Sequence, residues 1–437
     1  MNILLIGSGA REHAIARAIK KSQLNPKLFC FGSNNNPGIL EITNGYLVGK
    51  MNDREAILNF AKTNNIELTI IGPEAPLQAG VADLLWHNNI PCVGPKKLPA
   101  QLETSKSFTR DLFEEFNIPG GAKHKNFTSL TGTKEFLNEL GEGNYVVKAD
   151  GLMGGKGVKV AGDHLKNINE ALTYCEELIS QNSNFVIEEK FIGQEFSLMS
   201  FCDGENLAHM PVVQDHKRAY DGDQGPNTGG MGTYSDANHS LPFLTTKDIE
   251  QAQEINLQTA QALHKKFNEG YKGILYGGFI ATKNGVNVIE YNARLGDPEA
   301  MNVLSILESD FVELCLAIIN GNLTSAHAKF SPQATVCKYA VPEGYPDSPI
   351  KNEKIDISEV GNKDQIYFAS VDKKEDGLYE IGSRTIAVIG IADTIAEAEK
   401  IAEAEIKKIK GPLFHRSDIG TKKLINSRIE MMKNLRT

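Results

Sequence analysis

At 437 residues, 41 % of them hydrophobic and 23 % charged, the chain is long enough for several packed domains and far from a disordered or fibrous composition. A formal net charge of -9 and a pI of about 5.7 exclude any overall attraction to nucleic acid or to an anionic membrane, so a polyanion that binds here must be small and met by a local site. Six scattered cysteines with no Cys-x-x-Cys pair argue against a disulfide framework or a zinc site, and the short apolar run at the N-terminus argues against a signal segment, which together point to a cytoplasmic protein.

The chain opens on an apolar run, Ile3 to Ile6, that ends in Gly7-Ser8-Gly9 and is followed by helical spacing from His13 to Lys21. Further buried strands are predicted at Leu28 to Phe31, Leu68 to Ile71 and Pro91 to Val93, with helix between them. That alternation predicts a parallel sheet with crossover helices over roughly the first hundred residues. A helix over Ser105 to Phe116 leads to Pro119-Gly120-Gly121, after which the texture turns to α+β, with strands at Tyr145 to Lys148, Val158 to Val160, Phe185 to Glu188 and Phe196 to Phe201. A polar, glycine-rich stretch from Gln214 to Tyr234 reads as a long loop with little local structure. Beyond it lie a long helix near Lys247 to Asn268 and strands at Ile274 to Thr282 and Val286 to Tyr291. The last part, from about Ala328, reads as a small separate α+β domain, with strands near Thr335 to Tyr339, Ile366 to Ser370 and Thr385 to Ile391 and a charged helix over Thr394 to Lys410.

Four segments carry chemistry. Gly7-Ser8-Gly9-Ala10-Arg11-Glu12 looks like the start of a dinucleotide fingerprint, in which glycines let the backbone approach a phosphate at a helix N-terminus. Glu12 stands where the third glycine belongs and the second strand ends without an acid for a ribose, so the turn suits a small phosphorylated ligand better than NAD. Lys148-Ala-Asp150-Gly151-Leu-Met-Gly154-Gly155-Lys156-Gly157 places lysines on a strand and in a glycine loop, an arrangement that can close N–H groups and ammonium charge over a polyphosphate. It is not a Walker A loop, because Gly157 rather than Ser or Thr follows Lys156 and a strand follows in place of a helix.

Glu290-Tyr-Asn292-Ala-Arg294 is the strongest of the four. Period-two alternation puts Glu290, Asn292 and Arg294 on one face of a strand and Ile289, Tyr291 and Ala293 on the other. A carboxylate, an amide oxygen and a guanidinium in a row suit Mg²⁺ and phosphoryl oxygens, and Asp297 and Glu299 add two carboxylates just beyond. Gln214-Asp215-His216-Lys217-Arg218, with Gly225 to Gly232, reads as a loop that folds over a ligand, since long polar loops in compact domains are often functional.

Taken together, Gly7 to Ala14, Gly72-Pro-Glu74-Ala-Pro-Leu77, Val147 to Gly151, the Gln214 to Gly232 segment and Glu290 to Glu299 resemble the phosphoribosylamine–glycine ligase (glycinamide ribonucleotide synthetase) family of the ATP-grasp superfamily, over nearly the whole chain. The resemblance implies an N-terminal parallel-sheet (pre-ATP-grasp) domain over 1–104, an ATP-grasp domain over 105–327 with a glycine-rich lid at about 122–192, and a small C-terminal α+β domain over 328–437. It implies ATP-dependent ligation of glycine to 5-phosphoribosylamine in purine biosynthesis, through a glycyl-phosphate, with ATP and Mg²⁺ (or Mn²⁺) as cofactors. By similarity Lys106, Lys148 and the loop Gly151, Gly154, Gly155, Lys156, Gly157 hold the ATP phosphates, while Glu188, Phe191 and Glu195 meet adenine and ribose. Glu290 and Asn292 bind the metal. Arg294 and Lys148 with Asp215, His216 and Lys217 serve the reacting glycine and phosphoryl group, and Gly9, Arg11, Glu12, Glu74 and Asp297 face the substrates. No nucleic-acid or membrane partner is implied, and the chain would act as a monomer or homodimer. Relatives often carry His-Ala-Gly-Thr where this chain has Ile366 to Ser370, a departure that touches the C-terminal substrate contacts. Two alternatives stay open at the level of sequence: a sibling ATP-grasp ligase acting on another phosphoribosyl intermediate, which a substrate panel separates, and a non-catalytic ATP-binding module, which phosphate release separates.

Overall fold

In the computed structural model, which describes residues 1–152 and 157–437, the first strand, Asn2–Ile6, pairs in parallel with Lys27–Gly32 on one side and with Leu68–Ile71 on the other. Gly45–Val48 and Cys92–Val93 complete a five-stranded sheet. Ile3 to Ile6 are fully buried, as expected of a parallel strand covered on both faces. The order of strands changes direction at Asn2–Ile6, and in open parallel sheets that switch point opens a crevice at the carboxyl ends of the strands. Gly7-Ser8-Gly9 leaves the sheet there. The helix Ala10–Lys20 begins three residues earlier than the spacing from His13 predicts, because the Glu12 carboxylate accepts the Gly9 N–H at 2.6 Å and closes the first turn. The edge strand Gly45–Val48 escaped the sequence reading; Leu47 and Val48 are exposed, so it lacks a buried apolar run.

Two antiparallel sheets follow. In one, His124–Phe127, Phe185–Glu189, Tyr145–Ala149 and Val158–Val160 pair in that order, and Phe127, Tyr145, Val147, Phe185 and Ile187 build a core of their own with the helices Thr133–Leu140 and Ile168–Ser180. In the other, Leu207–His209, Gln194–Asp203, Lys272–Thr282 and Gly285–Asn292 pair in order, backed by the long helix Thr246–Phe267. Strands close to every expected position are present.

The stretch Gln214 to Tyr234 is not the structureless loop its composition suggests. It contains the strands Gln214–Asp215, Arg218–Tyr220, Gln224–Asn227 and Gly232–Ser235. Gly232–Ser235 pairs with Ala334–Pro342, so a six-stranded sheet runs from this segment into Ile386–Ala392 and Ile366–Phe368 across residue 328. The partner lies about a hundred residues on, and such short strands leave no apolar run to read. The helix expected to reach Lys410 spans Ile395–Ile406, after which Lys410 bridges to Asp356. A final helix, Lys422–Arg436, returns to the central layer, where Arg436 grips Asp248 at 2.6 and 2.9 Å. Ile366–Phe368 docks on the N-terminal layer: the Phe368 N–H donates to His13 Nδ1 at 3.1 Å, and Asn36 Nδ2 donates to Phe368 O at 2.7 Å. The architecture is a multidomain α/β and α+β fold. All six cysteines are buried and unpaired, and no described helix is long and apolar enough to cross a membrane.

Candidate active site

The site is organised by an irregularity in Gly285–Asn292. Val288 faces Phe279 and Glu290 faces Gly278 on the neighbouring strand, so Ile289 is an extra residue, a bulge. The inward face therefore changes from Val286 and Val288 to Tyr291 and Ala293, while Glu290, Asn292 and Arg294 share the more open face. Ile289, expected beside Tyr291 and Ala293, is displaced by the bulge and only half-buried. Its carbonyl is re-aimed and accepts Lys148 Nζ at 2.8 Å and Arg110 Nη2 at 3.0 Å.

Lys148, on Tyr145–Ala149, is nearly buried and lies 2.7 Å from Glu188 Oε2. Arg110 grips both oxygens of Glu188 at 2.7 Å. Burial would raise the Glu188 pKa, but Arg110 and Lys148 overturn it and hold the carboxyl down at about 2. Burial also pushes Lys148 below the ordinary lysine range, with Glu188 opposing it. The Glu188 side chain, expected to meet adenine, is thus spent inside the protein as the anchor of Lys148. The neighbouring Glu189 accepts the Lys123 N–H at 2.7 Å. Phe191 is half-buried just beyond Phe185–Glu189, and Glu195 is exposed at the start of Gln194–Asp203.

Lys106 begins the helix Lys106–Glu115, whose first N–H groups are met by Asp150 (Lys106 N at 2.6 Å, Ser107 N at 3.3 Å). Its ammonium donates to Gly151 O at 2.7 Å, so the lysine is tied to the start of the glycine loop. Gly151 holds φ of +111°, a conformation that favours glycine. Gly157 closes the described part of the loop through its carbonyl, which accepts the Ala149 N–H at 2.8 Å. Gly154, Gly155 and Lys156 lie outside the described residues.

Lys217 reaches across from the Gln214 to Gly232 segment, with Nζ 3.3 Å from Glu290 Oε1 and 3.8 Å from Glu195 Oε2. Glu290 raises the Lys217 pKa, and Lys217 in turn holds Glu290 at about 2. Asp215 is pushed well above the carboxylate range by burial and by Glu299. His216 does not join them. It is 2 % exposed, with Nδ1 3.1 Å from Gly232 O, and burial together with Arg416 and Arg428 holds it neutral, at about 3. His216 lies just past the strand Gln214–Asp215, where its N–H donates to Gly232 O at 3.1 Å and its ring packs against buried Tyr234, away from Lys217 and Glu290.

Arg294 links the layers. Its guanidinium lies 2.9 Å from Glu103, 3.6 Å from Glu74 and 3.3 Å from Asn292 Oδ1. Burial would raise Glu74, but Arg294 and Arg11 hold it below its ordinary value. Arg11 donates to Glu12 at 2.6 Å and to Leu295 O at 3.1 Å. Both oxygens of Glu12 are used within the turn, and its side chain fills the space that glycine leaves at Gly7 and Gly72. Glu12, expected to face substrate, instead shapes the turn. Gly9 lies beside Asp297, which accepts Tyr339 Oη–H at 2.6 Å and sits 3.5 Å from Arg384.

Glu290 and Asn292 fit a hard divalent cation: one carboxylate kept ionised by its neighbours, and one amide oxygen on the same face. Among the described residues no group of three or more His, Cys, Asp or Glu could hold a metal alone, so phosphate and water oxygens would complete the shell, as is usual for Mg²⁺. Arg110, Glu103, Asp150, Tyr339 and Arg384 were missed at the sequence level. Arg110 was within reach, because it lies four residues beyond Lys106 on one helix and so shares its face.

Three family models tile the chain: the N domain of phosphoribosylglycinamide synthetase over 1–103, its ATP-grasp (A) domain over 104–300 and its C domain over 335–422. A phosphoribosylamine–glycine ligase of Methanosarcina barkeri is 50 % identical over the full length of both chains, and one of Methanocaldococcus jannaschii is 49 % identical, again over both full lengths. The crystal structure of the Thermotoga maritima phosphoribosylamine–glycine ligase superposes with a TM-score of 0.82 at 28 % identity, over 96 % of this chain and all of the other. A biotin carboxylase domain from Hydrogenobacter thermophilus, 15 % identical with a TM-score of 0.73, shares the fold. With this agreement over its whole length, the chain belongs to the phosphoribosylamine–glycine ligase family of ATP-grasp enzymes.

Proposed function

We propose that this enzyme joins glycine to 5-phosphoribosylamine while ATP is cleaved to ADP and phosphate, giving glycinamide ribonucleotide for purine biosynthesis in the cytoplasm, and that it does so through a glycyl-phosphate. The observation that carries the reading is the convergence of Lys148, Lys217 and Arg294 on the face that bears Glu290 and Asn292, in a chain half identical to ligases of this name end to end.

A carboxylate is a poor electrophile, so the reaction must convert it before the amine can add. A glycine carboxylate oxygen attacks the γ-phosphorus of ATP and the bond to ADP breaks. The amine nitrogen of phosphoribosylamine then attacks the acyl carbon, phosphate leaves with its electron pair, and the nitrogen loses a proton. Lys106, Lys148 and the Gly151 to Gly157 loop hold the phosphates, with Phe191 and Glu195 beside the adenosine. Lys148 arrives with its position fixed by Glu188 and Ile289 O, so little reorganisation is needed as charge builds. Arg294 orients the glycine carboxylate, and Lys217 meets the passing phosphoryl group. A Mg²⁺ or Mn²⁺ ion at Glu290 and Asn292 would neutralise phosphoryl charge. The turn at Gly9, with Glu74 and Asp297, faces phosphoribosylamine.

ADP release measured with each substrate omitted in turn tests this. Release that needs both glycine and phosphoribosylamine supports the reading; release independent of either, or met equally by other amines and carboxylates, overturns it.

A further inference from the structure

The hairpin of Arg218–Tyr220 and Gln224–Asn227 pairs with no other strand among the described residues, and two strands alone are marginally stable in water. Its support comes from the far end of the chain. Arg416 is fully buried; Nη1 donates to Arg218 O at 3.1 Å and to Asp223 Oδ1 at 3.0 Å, while Nε and Nη2 grip Asp418 at 2.9 and 2.8 Å. Asp418 in turn accepts the Gly222 N–H at 2.8 Å, and Asp221 accepts Ser417 N–H at 2.9 Å and its hydroxyl at 2.5 Å. Arg428 of the last helix takes the second oxygen of Asp223. The clamp is itself moored, because Ser417 O accepts Lys338 Nζ at 2.9 Å and that buried ammonium is fixed between Glu399 and Glu403.

The carbonyl that Arg416 holds is one residue beyond Lys217. The Lys217 carbonyl is held as well, by Thr228 N–H at 2.7 Å and its hydroxyl at 2.9 Å. These contacts fix the backbone from which Lys217 reaches Glu290 and Glu195. We propose that Arg416, with Asp223 as its partner, is a positioning residue for Lys217, so that the C-terminal segment sets the alignment of the phosphoryl-transfer centre without touching a substrate. The inference rests on the reading of Lys217 given above. Misplacement of about 1 Å at a reacting group costs on the order of a hundredfold in rate, so loosening the clamp should show in kcat.

The test uses Asp223→Asn and Arg416→Lys in the full-length enzyme, each alone and combined with Lys217→Met, with kcat, KM, Tm and amide exchange over 218–227 as readouts. Asp223→Asn is the safer variant, since Arg416 keeps Asp418 and the Asp223 side chain is 32 % exposed. It decides the matter if Arg416→Lys does not fold. With Lys217 present, each variant should lower kcat about tenfold or more, leave the phosphoribosylamine KM unchanged and speed exchange in the hairpin. With Lys217→Met, the same changes should alter kcat by less than about twofold, because their effect passes through the missing ammonium. Equal losses in both backgrounds, or no loss in a folded protein that retains Lys217, overturn the proposal. A Lys217→Met enzyme with undiminished kcat overturns the role of Lys217 itself, and the proposal falls with it.

Discussion

The Lys217 ammonium stands 3.3 Å from the Glu290 carboxylate across 73 residues of sequence, and each residue fixes the charge of the other. A lysine brought to a carboxylate from a separate segment is a mobile counter-charge, because its stem is flexible and Glu290 remains about one-third exposed. Glu290 therefore stays ionised far into acid and needs no deprotonation before a cation binds.

Glu290→Gln should leave the fold intact, since the side chain is partly exposed and its ion-pair partner among the described residues, Lys217, can turn to Glu195. Loss of a charged group at the transfer centre typically costs about 10²- to 10³-fold in kcat. Steady-state turnover together with circular dichroism checks this, and a folded variant with normal turnover would remove Glu290 from the centre.

Arg110, Glu188 and Lys148 form a buried triad whose contribution depends on pH in a defined direction. Glu188 is held at about 2 against an ordinary value of 4.5, so its ionisation stabilises the folded state fully above about 4.5, and that stabilisation is lost as pH falls towards 2. Denaturant unfolding followed across this window should show a steeper fall in stability for wild type than for Glu188→Gln, in which Glu290, Glu403 and Asp418 still contribute. Arg110→Ala leaves a buried carboxylate with one partner in place of two and should destabilise by about 3–5 kcal/mol. Parallel pH profiles for wild type and Glu188→Gln would show that the triad carries no such linkage.

How much of this could be read in advance depended on how far apart the participants lie. Glu290, Asn292 and Arg294 were legible because the period-two spacing of one short motif holds all three, although the strand itself ends at Asn292, and Lys148 because it sits on a strand that leads into glycines. The Ile289 bulge was not, since an extra residue leaves no mark in composition and appears only as a register shift against Gly278 and Phe279. Nor was the burial of the Glu188 carboxylate, which depends on Arg110 arriving from 78 residues away. Gln214 to Tyr234 was legible as chemistry and misread as structure: its strands are two to four residues long and rich in charge, glycine and proline. His216 shared the motif of Asp215 and Lys217 and was grouped with them, because its burial against Gly232 and Tyr234 depends on contacts sixteen or more residues away.

Gly151→Ala tests the join between Lys106 and the glycine loop. Among the described residues a Cβ at Gly151 meets nothing within 4 Å, and φ of +111° is itself strained for a residue with a side chain. Such strain is of order 1–3 kcal/mol, and the chain can relieve it by moving the Gly151 carbonyl off Lys106. The expected result is a KM for ATP raised roughly 5- to 30-fold with little change in Tm, the range that about 1–2 kcal/mol implies. An unchanged KM for ATP would show that the conformation of Gly151 does not matter to nucleotide binding.

The order of chemical events can be followed through the oxygens of glycine. If ATP phosphorylates the glycine carboxylate, one carboxylate oxygen becomes the bridge to phosphorus, and attack by the amine at carbon expels phosphate carrying that oxygen. If the other substrate were activated instead, both glycine oxygens would stay off phosphate. The site favours the first route. On the proposed reading, Lys148, Lys217 and Arg294 bring positive charge to the path from ATP to an anionic oxygen, whereas the amine of phosphoribosylamine is already a nucleophile and gains nothing from phosphorylation. Glycine with heavy oxygen in its carboxylate should therefore pass one labelled oxygen into inorganic phosphate for each turnover, as read by mass spectrometry of the phosphate. Lys217→Met should slow the labelling in step with product formation, because both follow the same transfer, and unlabelled phosphate formed during productive turnover would rule the glycyl-phosphate out.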